Sequence, residues 1–324
     1  MIVVTGGAGF IGSAIVWRLN QLGVDNIVIV DALGVNEKWK NLVGLKYADI
    51  FHKDEFLQLV TDDTVPFQVE AILHLGACSS TTEKDADYLL YNNFKYSQTL
   101  CTYSLEKDAR FIYASSAATY GDGANGYLDD EANLDSLKPL NMYGYSKHMF
   151  DLWAKREEIL DEIAGIKYFN VFGPNEYHKA NMRSVVHKAY GQIKQTGKVK
   201  LFKSYDKNYE DGKQMRDFIY VKDAVDMTLH FLDNTNKNGL YNVGTGKART
   251  WVDLVNSIFK AMDLKPNIEF IEMPEELKGK YQYFTEANNS KIKKAGYKNK
   301  ITSLEDGVGD YVKNYLIKNK TLAN

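Results

Sequence analysis

The chain predicts an α/β fold: a doubly wound parallel sheet carrying a smaller α/β domain. Three observations point to it. Short runs rich in Val and Ile alternate with longer amphipathic segments, the strands lack strict polar alternation, and a glycine-rich turn joins the first strand to the first helix. Strands of a parallel sheet have helices on both faces and so read as continuous apolar runs. Strand–helix alternation of this kind winds with right-handed crossovers.

In order, Ile2–Thr5 reads as a strand, Phe10–Leu22 as a helix and Ile27–Asp31 as the second strand. Lys53–Val60 is expected helical, Glu70–Leu75 a strand, Glu83–Lys107 one long helix and Arg110–Ser115 a strand. Met142–Ile163 follows as a helix and Ile166–Phe169 as a strand. Beyond Phe172 the pattern loosens. Ala180–Gln195 reads as a helix, Tyr205–Gln214 as a polar loop, and Phe218–Val221 and Leu240–Val243 as strands around a helix from Lys222 to Leu232. Trp251–Met262 and Ser303–Tyr315 are expected helices, with a strand at Ile268–Ile271. The division expected is a dinucleotide-binding domain from residues 1–171 and 217–247, a substrate domain from 172–216 and 248–302, and a C-terminal helix over 303–324.

Composition narrows the function. With 40 basic against 42 acidic residues the net charge is −2, which makes no electrostatic case for nucleic acid or an anionic membrane as partner. The 2 cysteines, Cys78 and Cys101, are too few for a disulfide framework. No apolar run nears the roughly 20 residues of a membrane helix, and the N-terminus lacks signal-peptide features. A soluble, cytoplasmic protein is expected. No HExxH or Cys/His spacing suggests a metal, so His178 and His187 are read as bland.

Gly6-Gly7-Ala8-Gly9-Phe10-Ile11-Gly12 lies between the first strand and first helix, and Asp31 ends the second strand. Glycines there let backbone N–H groups approach a pyrophosphate, and the acid meets a ribose, as in a Rossmann-type fold. Asp31 by itself favours NAD. Lys38 and Lys53, which flank the same ribose, can neutralise a 2′-phosphate, so NADP and NAD both stand on the residues alone.

A tyrosine four residues before a lysine shares a helix face with it. The ammonium then favours phenolate and makes a base for an alcohol proton. The spacing occurs five times, at Tyr91/Lys95, Tyr103/Lys107, Tyr143/Lys147, Tyr190/Lys194 and Tyr209/Lys213. Position selects one. Tyr143 opens the helix after a strand that ends at Ser115-Ser116, on the ligand-binding edge of such a sheet. Ser116, Tyr143 and Lys147 are the expected catalytic triplet.

TGGAGFIG, the strand-end serine and Tyr143-Gly-Tyr-Ser-Lys147 resemble the extended short-chain dehydrogenase/reductases that act on nucleotide sugars. Gly76–Thr82, Tyr113–Gly121, Lys138–Lys147, Tyr168–Pro174 with His178-Lys179, and Leu277–Gln282 resemble, within that group, the ADP-heptose 6-epimerase family. The resemblance runs from residue 1 to about residue 316. Dehydratases of the group carry an Asp-Glu pair where this chain has Ala117-Ala118.

The resemblance implies an NADP-dependent epimerase of lipopolysaccharide inner-core heptose synthesis that inverts C6″ of ADP-heptose through a transient ketone. It weights Lys38 and Lys53 as 2′-phosphate ligands, and implies cofactor contacts at Gly6, Gly9, Phe10, Ile11, Gly12, Asp31, Ala32, Leu75, Gly76, Ala77, Cys78, Ser79, Asn92, Lys147, Val171 and Lys179. It places substrate contacts at Asn170, Asn181, Lys188, Phe202, Lys203, Ser204, Arg216 and Tyr281. Lys179 is either the acid/base of the second face or a phosphate contact. A homo-oligomer, a pentamer in that family, is implied as well. Asn181, Lys188, Ala32 and the inserted Tyr205–Gln214 depart from the family pattern. Two other readings stand beside this one: a UDP-hexose 4-epimerase, and a dinucleotide-binding regulator without catalysis.

Overall fold

A computed structural model describes residues 1–275, 278 and 281–324. Along the first half run β1 (Ile2–Thr5), α1 (Phe10–Gln21), β2 (Ile27–Asp31), β3 (Asp49–His52), α2 (Lys53–Thr61), β4 (Ala71–His74), α3 (Ala86–Leu89), α4 (Tyr96–Glu106), β5 (Arg110–Ser116), α5 (Met142–Arg156) and β6 (Ala164–Tyr168). Then come β7 (Asn170–Phe172), α6 (Val185–Thr196), β8 (Val199–Phe202), β9 (Met215–Tyr220), α7 (Val221–Asp233), β10 (Gly239–Val243), β11 (Ala248–Thr250), α8 (Trp251–Ala261), β12 (Ile268–Ile271), α9 (Ser290–Lys294) and α10 (Leu304–Asp310).

Seven parallel strands form the main sheet in the order β10-β6-β5-β4-β1-β2-β3. Every residue of β1, β2 and β4 is buried. Successive side chains face opposite layers: Val4 and Ile29 join the core beneath α1 and α7, whereas Val3, Val28 and Ile72 join the one beneath α2 and α4. That is why these strands show no polar alternation. The chain leaves β1 toward β2 and returns to its other side as β4, so a crevice opens at the strand ends where the order reverses. Two smaller sheets, β11-β9-β7 and β12-β8, stand beside the main one. Among the described residues no helix is long and apolar enough to cross a membrane.

Several elements differ from expectation. The long helix expected over Glu83–Lys107 is α3 and α4 joined by a wide π-helical turn at Leu90–Lys95. The turn aims Asn93 at the loop after β4, where its side chain accepts from Cys78 N (2.8 Å) and donates to Cys78 O (3.0 Å). The helix expected to reach Ile163 stops at Arg156, and Glu158 follows with φ +59°. The helix expected from Ala180 starts at Val185, capped by Ser184, after a separate turn at Tyr177–Met182 in which Ala180 has φ +45°. At the C-terminus, helix is confined to α10 and a π-helical turn at Tyr311–Leu316. β3, β7, β8 and β11 were not expected: three or four residues with mixed polarity leave no period to read.

Candidate active site

A cleft of about 820 Å³ opens at the C-terminal ends of the main sheet. Its floor is the turn after β1. Gly6 has φ +66°, and a Cβ on Gly12 would lie 2.1 Å from the Gly6 carbonyl oxygen. Helix and loop touch backbone to backbone there, and only glycine fits. α1 begins with neither a side-chain cap nor an acidic residue in its first turn, so its free N–H groups and positive end suit an anion. Thr5 Oγ1 holds the neighbouring strand end by contacts to His74 Nδ1 (2.7 Å) and Gly76 N (3.0 Å). Burial pushes His74 down to about 3, so it works as a neutral ring.

At the far end, Asp31 accepts from Ala8 N (2.9 Å) and Ala32 N (2.8 Å) and pairs with Lys38 Nζ (2.9 Å). Lys53 lines the same end and pairs with Asp54 at 2.7 Å. Asn41, buried alongside, donates to both Ala8 O (3.0 Å) and Asn175 O (2.9 Å), tying the glycine turn to the segment after β7.

The middle of the cleft holds the expected triplet. Ser116 ends β5, and α5 starts on Asn141, whose side chain accepts from Gly144 N (2.8 Å). A Cβ on Gly144 would lie 2.8 Å from Ala118 O, so the glycine inside Tyr143-Gly-Tyr-Ser-Lys147 lets α5 pack against the turn after Ser116. Burial holds the Tyr143 phenol above its ordinary value, and Ser116 acts in the opposite direction. Burial brings Lys147 down to about 8, and Asp151 on the next turn of α5 opposes it. Of the five Tyr/Lys pairs only Tyr143/Lys147 lines the cleft. Lys107 instead pairs with Asp63, and Tyr91 is exposed.

Every residue assigned to cofactor or catalysis lies on the cleft wall, Lys179 and Val171 included. Lys179 is on the turn after β7, its ammonium 5.8 Å from the centre of the Phe10 ring. Burial lowers its pKa while Glu176 opposes the shift. The substrate assignments divide. Asn170 lines the cleft, but Asn181 and Lys188 are exposed, and Phe202, Lys203, Ser204, Arg216 and Tyr281 lie off its wall. Lys203 is tied to Glu272 (2.7 Å). Arg216 is buried between the rings of Trp251 (5.7 Å) and Tyr281 (5.3 Å). Trp251 lines the cleft and donates to Tyr281 Oη (2.9 Å). The neighbouring Asp217 carboxylate accepts from Thr245, Gly246 and Ala287. Ser204 N donates to Asp211 inside the inserted loop, and Tyr209 packs on Tyr283. Of the string Leu277–Gln282, residues Leu277, Gly279 and Lys280 lie outside the described residues.

Sequence reading missed Trp251, Glu176 and Asn41, and His178, read as bland, lines the cleft beside Asn41. Burial pushes His178 down to about 4. Of these only His178 lies in a string already noted, beside Lys179; Asn41, Glu176 and Trp251 lie outside those strings.

The chain matches the model of the NAD dependent epimerase/dehydratase family over residues 2–244. It is 59% identical to an ADP-L-glycero-D-manno-heptose-6-epimerase of Nitratidesulfovibrio vulgaris (strain DP4), with 98% of each chain covered. It is 50% identical to the enzyme of that name from Fusobacterium nucleatum subsp. nucleatum, again over 98% of each. The crystal structure of the Helicobacter pylori ADP-L-glycero-D-manno-heptose-6-epimerase superposes with a TM-score of 0.79 at 26% identity, covering 97% of this chain and 95% of that one. A UDP-N-acetylglucosamine 4-epimerase from Methanobrevibacter ruminantium shares the fold, with a TM-score of 0.82 at 24% identity over 98% of each chain. A glycine cradle, an acid-ended second strand and a Ser/Tyr/Lys cleft thus sit on a chain that matches one family model over most of its length, and the protein belongs to the NAD dependent epimerase/dehydratase family.

Proposed function

We propose that the protein is an epimerase that interconverts ADP-D-glycero- and ADP-L-glycero-D-manno-heptose at C6″ with bound NADP, in lipopolysaccharide inner-core heptose synthesis. The observation that carries the reading is that Ser116, Tyr143, Lys147 and Lys179 line one cleft with a dinucleotide cradle; the relatives supply the sugar.

Tyr143 takes the proton of the C6″ hydroxyl, Ser116 donates a hydrogen bond to the same oxygen, and the Lys147 ammonium steadies the phenolate. When bound, the oxidised nicotinamide supplies hydride acceptance and return, and a positive charge that favours phenolate. Inversion requires proton handling on the ketone's second face or a turn of the ketone in the cleft. Arg216, sandwiched by aromatic rings, is the candidate for the substrate diphosphate. Lys179 has two candidate roles, proton handling on the second face or a phosphate contact, and its place beside Phe10 at the start of α1 favours the second. Lys179→Met separates them: loss of bound nucleotide marks a phosphate contact, whereas loss of turnover with nucleotide retained marks an acid/base. Unchanged rate and retention remove Lys179 from the mechanism.

The substrate is tested by turnover of ADP-heptose against UDP-glucose. Activity on the first alone is expected, activity only on the second makes the protein a 4-epimerase, and none on either leaves the regulator.

NADP rather than NAD is supported by Lys38, whose ammonium pairs with Asp31 (2.9 Å) and offsets the carboxylate that would otherwise repel a 2′-phosphate. Lys38→Ala is expected to weaken NADP binding by about 10–100-fold, the worth of one charge-assisted hydrogen bond. NAD binding is expected to change little. Calorimetric titration of the nucleotide-free protein with each nucleotide checks this, and equal losses for both would show that Lys38 does not read the 2′-phosphate.

A further inference from the structure

Beneath the cleft lies a polar cluster that the steps above leave unused. Asp151 and Lys167 are paired at 2.7 Å, their side chains 0% and 1% exposed. Asp151 stands on α5 one turn beyond Lys147 and also accepts from Tyr113 Oη (2.9 Å) and Ser115 Oγ (2.8 Å) on β5. Lys167, on β6, donates to Thr119 Oγ1 (2.7 Å), whose hydroxyl donates to the Ser116 carbonyl (2.8 Å). Contacts from this one pair thus hold the backbone on both sides of the Ser116 side chain and fasten it to the helix that bears Tyr143 and Lys147.

Stability alone does not explain such a pair. Desolvating two charges offsets most of their attraction, and apolar replacements of like volume are often neutral or stabilising. A satisfied buried network does hold its members in a single geometry. Lys147 is buried and has no carboxylate within ion-pair distance among the described residues. The groups facing it are Asp151 and Tyr143 from its own helix, Cys78 from the loop after β4, and His74, which burial keeps neutral. Asp151 is the one carboxylate among them.

We propose that Asp151, clamped by Lys167, is a positioning residue for the reaction: it sets Ser116 against the Tyr143–Lys147 face of α5 and supplies the countercharge of Lys147. This rests on the reading of Tyr143 and Lys147 given above. A merely structural pair would change the amount of folded enzyme and leave the pH dependence of turnover alone.

The test is kcat against pH for nucleotide-loaded wild type, Asp151→Asn, and the double variant Asp151→Asn/Lys167→Met, with Lys167→Arg as the charge-conserving control and Tyr143→Phe as reference. Loss of the countercharge moves the alkaline limb, where Lys147 gives up its proton, to lower pH by about one unit. That downward shift is expected in both variants lacking Asp151, larger in Asp151→Asn, which leaves the Lys167 ammonium unpaired, than in the double variant. KM is expected to change less than kcat, and the shift is not expected in Lys167→Arg. The double variant removes both charges of the pair and so leaves no unpartnered lysine at position 167, which keeps the test alive where Asp151→Asn fails to fold. Folded variants with an unmoved limb overturn the proposal, as does a double variant that cannot fold, which would make the pair a stability element. If Tyr143→Phe keeps full turnover, the reading of the triplet falls instead.

Discussion

Tyr143→Phe is expected to lower turnover by about 10²–10⁴-fold, the worth of one positioned proton-transfer group, while the protein still copurifies with its dinucleotide. The ring stays and the cleft keeps its shape, so only the hydroxyl is lost. In the wild type that hydroxyl is held above its ordinary pKa by burial. It needs the Lys147 ammonium to ionise, and burial brings that ammonium down to about 8. The sign follows from the ammonium: activity falls as pH passes about 8 and Lys147 loses its charge, because the phenol, raised by burial, then has no lysine cation to favour its ionised form. Stopped-assay turnover with ADP-heptose, together with the absorbance of nucleotide released on denaturation, checks both halves. A Phe variant within a few-fold of wild type would remove Tyr143 as the base. A Phe variant that lost its nucleotide would make Tyr143 a binding residue first.

What could be read from the sequence follows the reach of each signal. β1 and β2 lie where the apolar runs put them, because burial on a sheet is written into consecutive residues. The glycine turn was legible for a similar reason: its constraint is local, a loop touching the helix it precedes. Tyr143 was separated from four other Tyr/Lys pairs by element order alone, and the cleft contains that pair only. The break in the helix expected over Glu83–Lys107 was not legible. An extra residue in one turn leaves the apolar period nearly intact, and the contact that accompanies it joins Asn93 to Cys78, fifteen positions back. Positions carried by resemblance reached the substrate side less evenly. Arg216 is linked to the cleft through Trp251, whereas Lys203 is engaged by Glu272 in solvent, a pairing no local pattern encodes. Asn41 was missed because its work is to join segments far apart in sequence.

Gly12→Ala tests the cradle by adding a single methyl group. The new Cβ would meet the Gly6 carbonyl oxygen at 2.1 Å and its carbon at 2.7 Å, both backbone atoms without rotamers to yield. α1 must therefore lift from the glycine turn. Such overpacking costs about 1–3 kcal/mol, against which alanine's helical preference returns about 1 kcal/mol, so the protein is expected to fold with reduced stability. Nucleotide binding suffers more. Lifting the helix misdirects the N–H groups that meet the phosphates, and two charge-assisted hydrogen bonds at about 1.5–3 kcal/mol each make about a 100-fold loss or greater. Gly191→Ala in α6 is the matched control. Nothing lies within 4 Å of its added Cβ, so a gain of about 0.5–1 kcal/mol and unchanged nucleotide content are expected. Denaturant titration and nucleotide stoichiometry after gel filtration give both readouts. Should Gly12→Ala retain its dinucleotide at the wild-type level, the backbone contact is not what shapes the phosphate site, and the anion would have to be held chiefly by side chains such as Lys179.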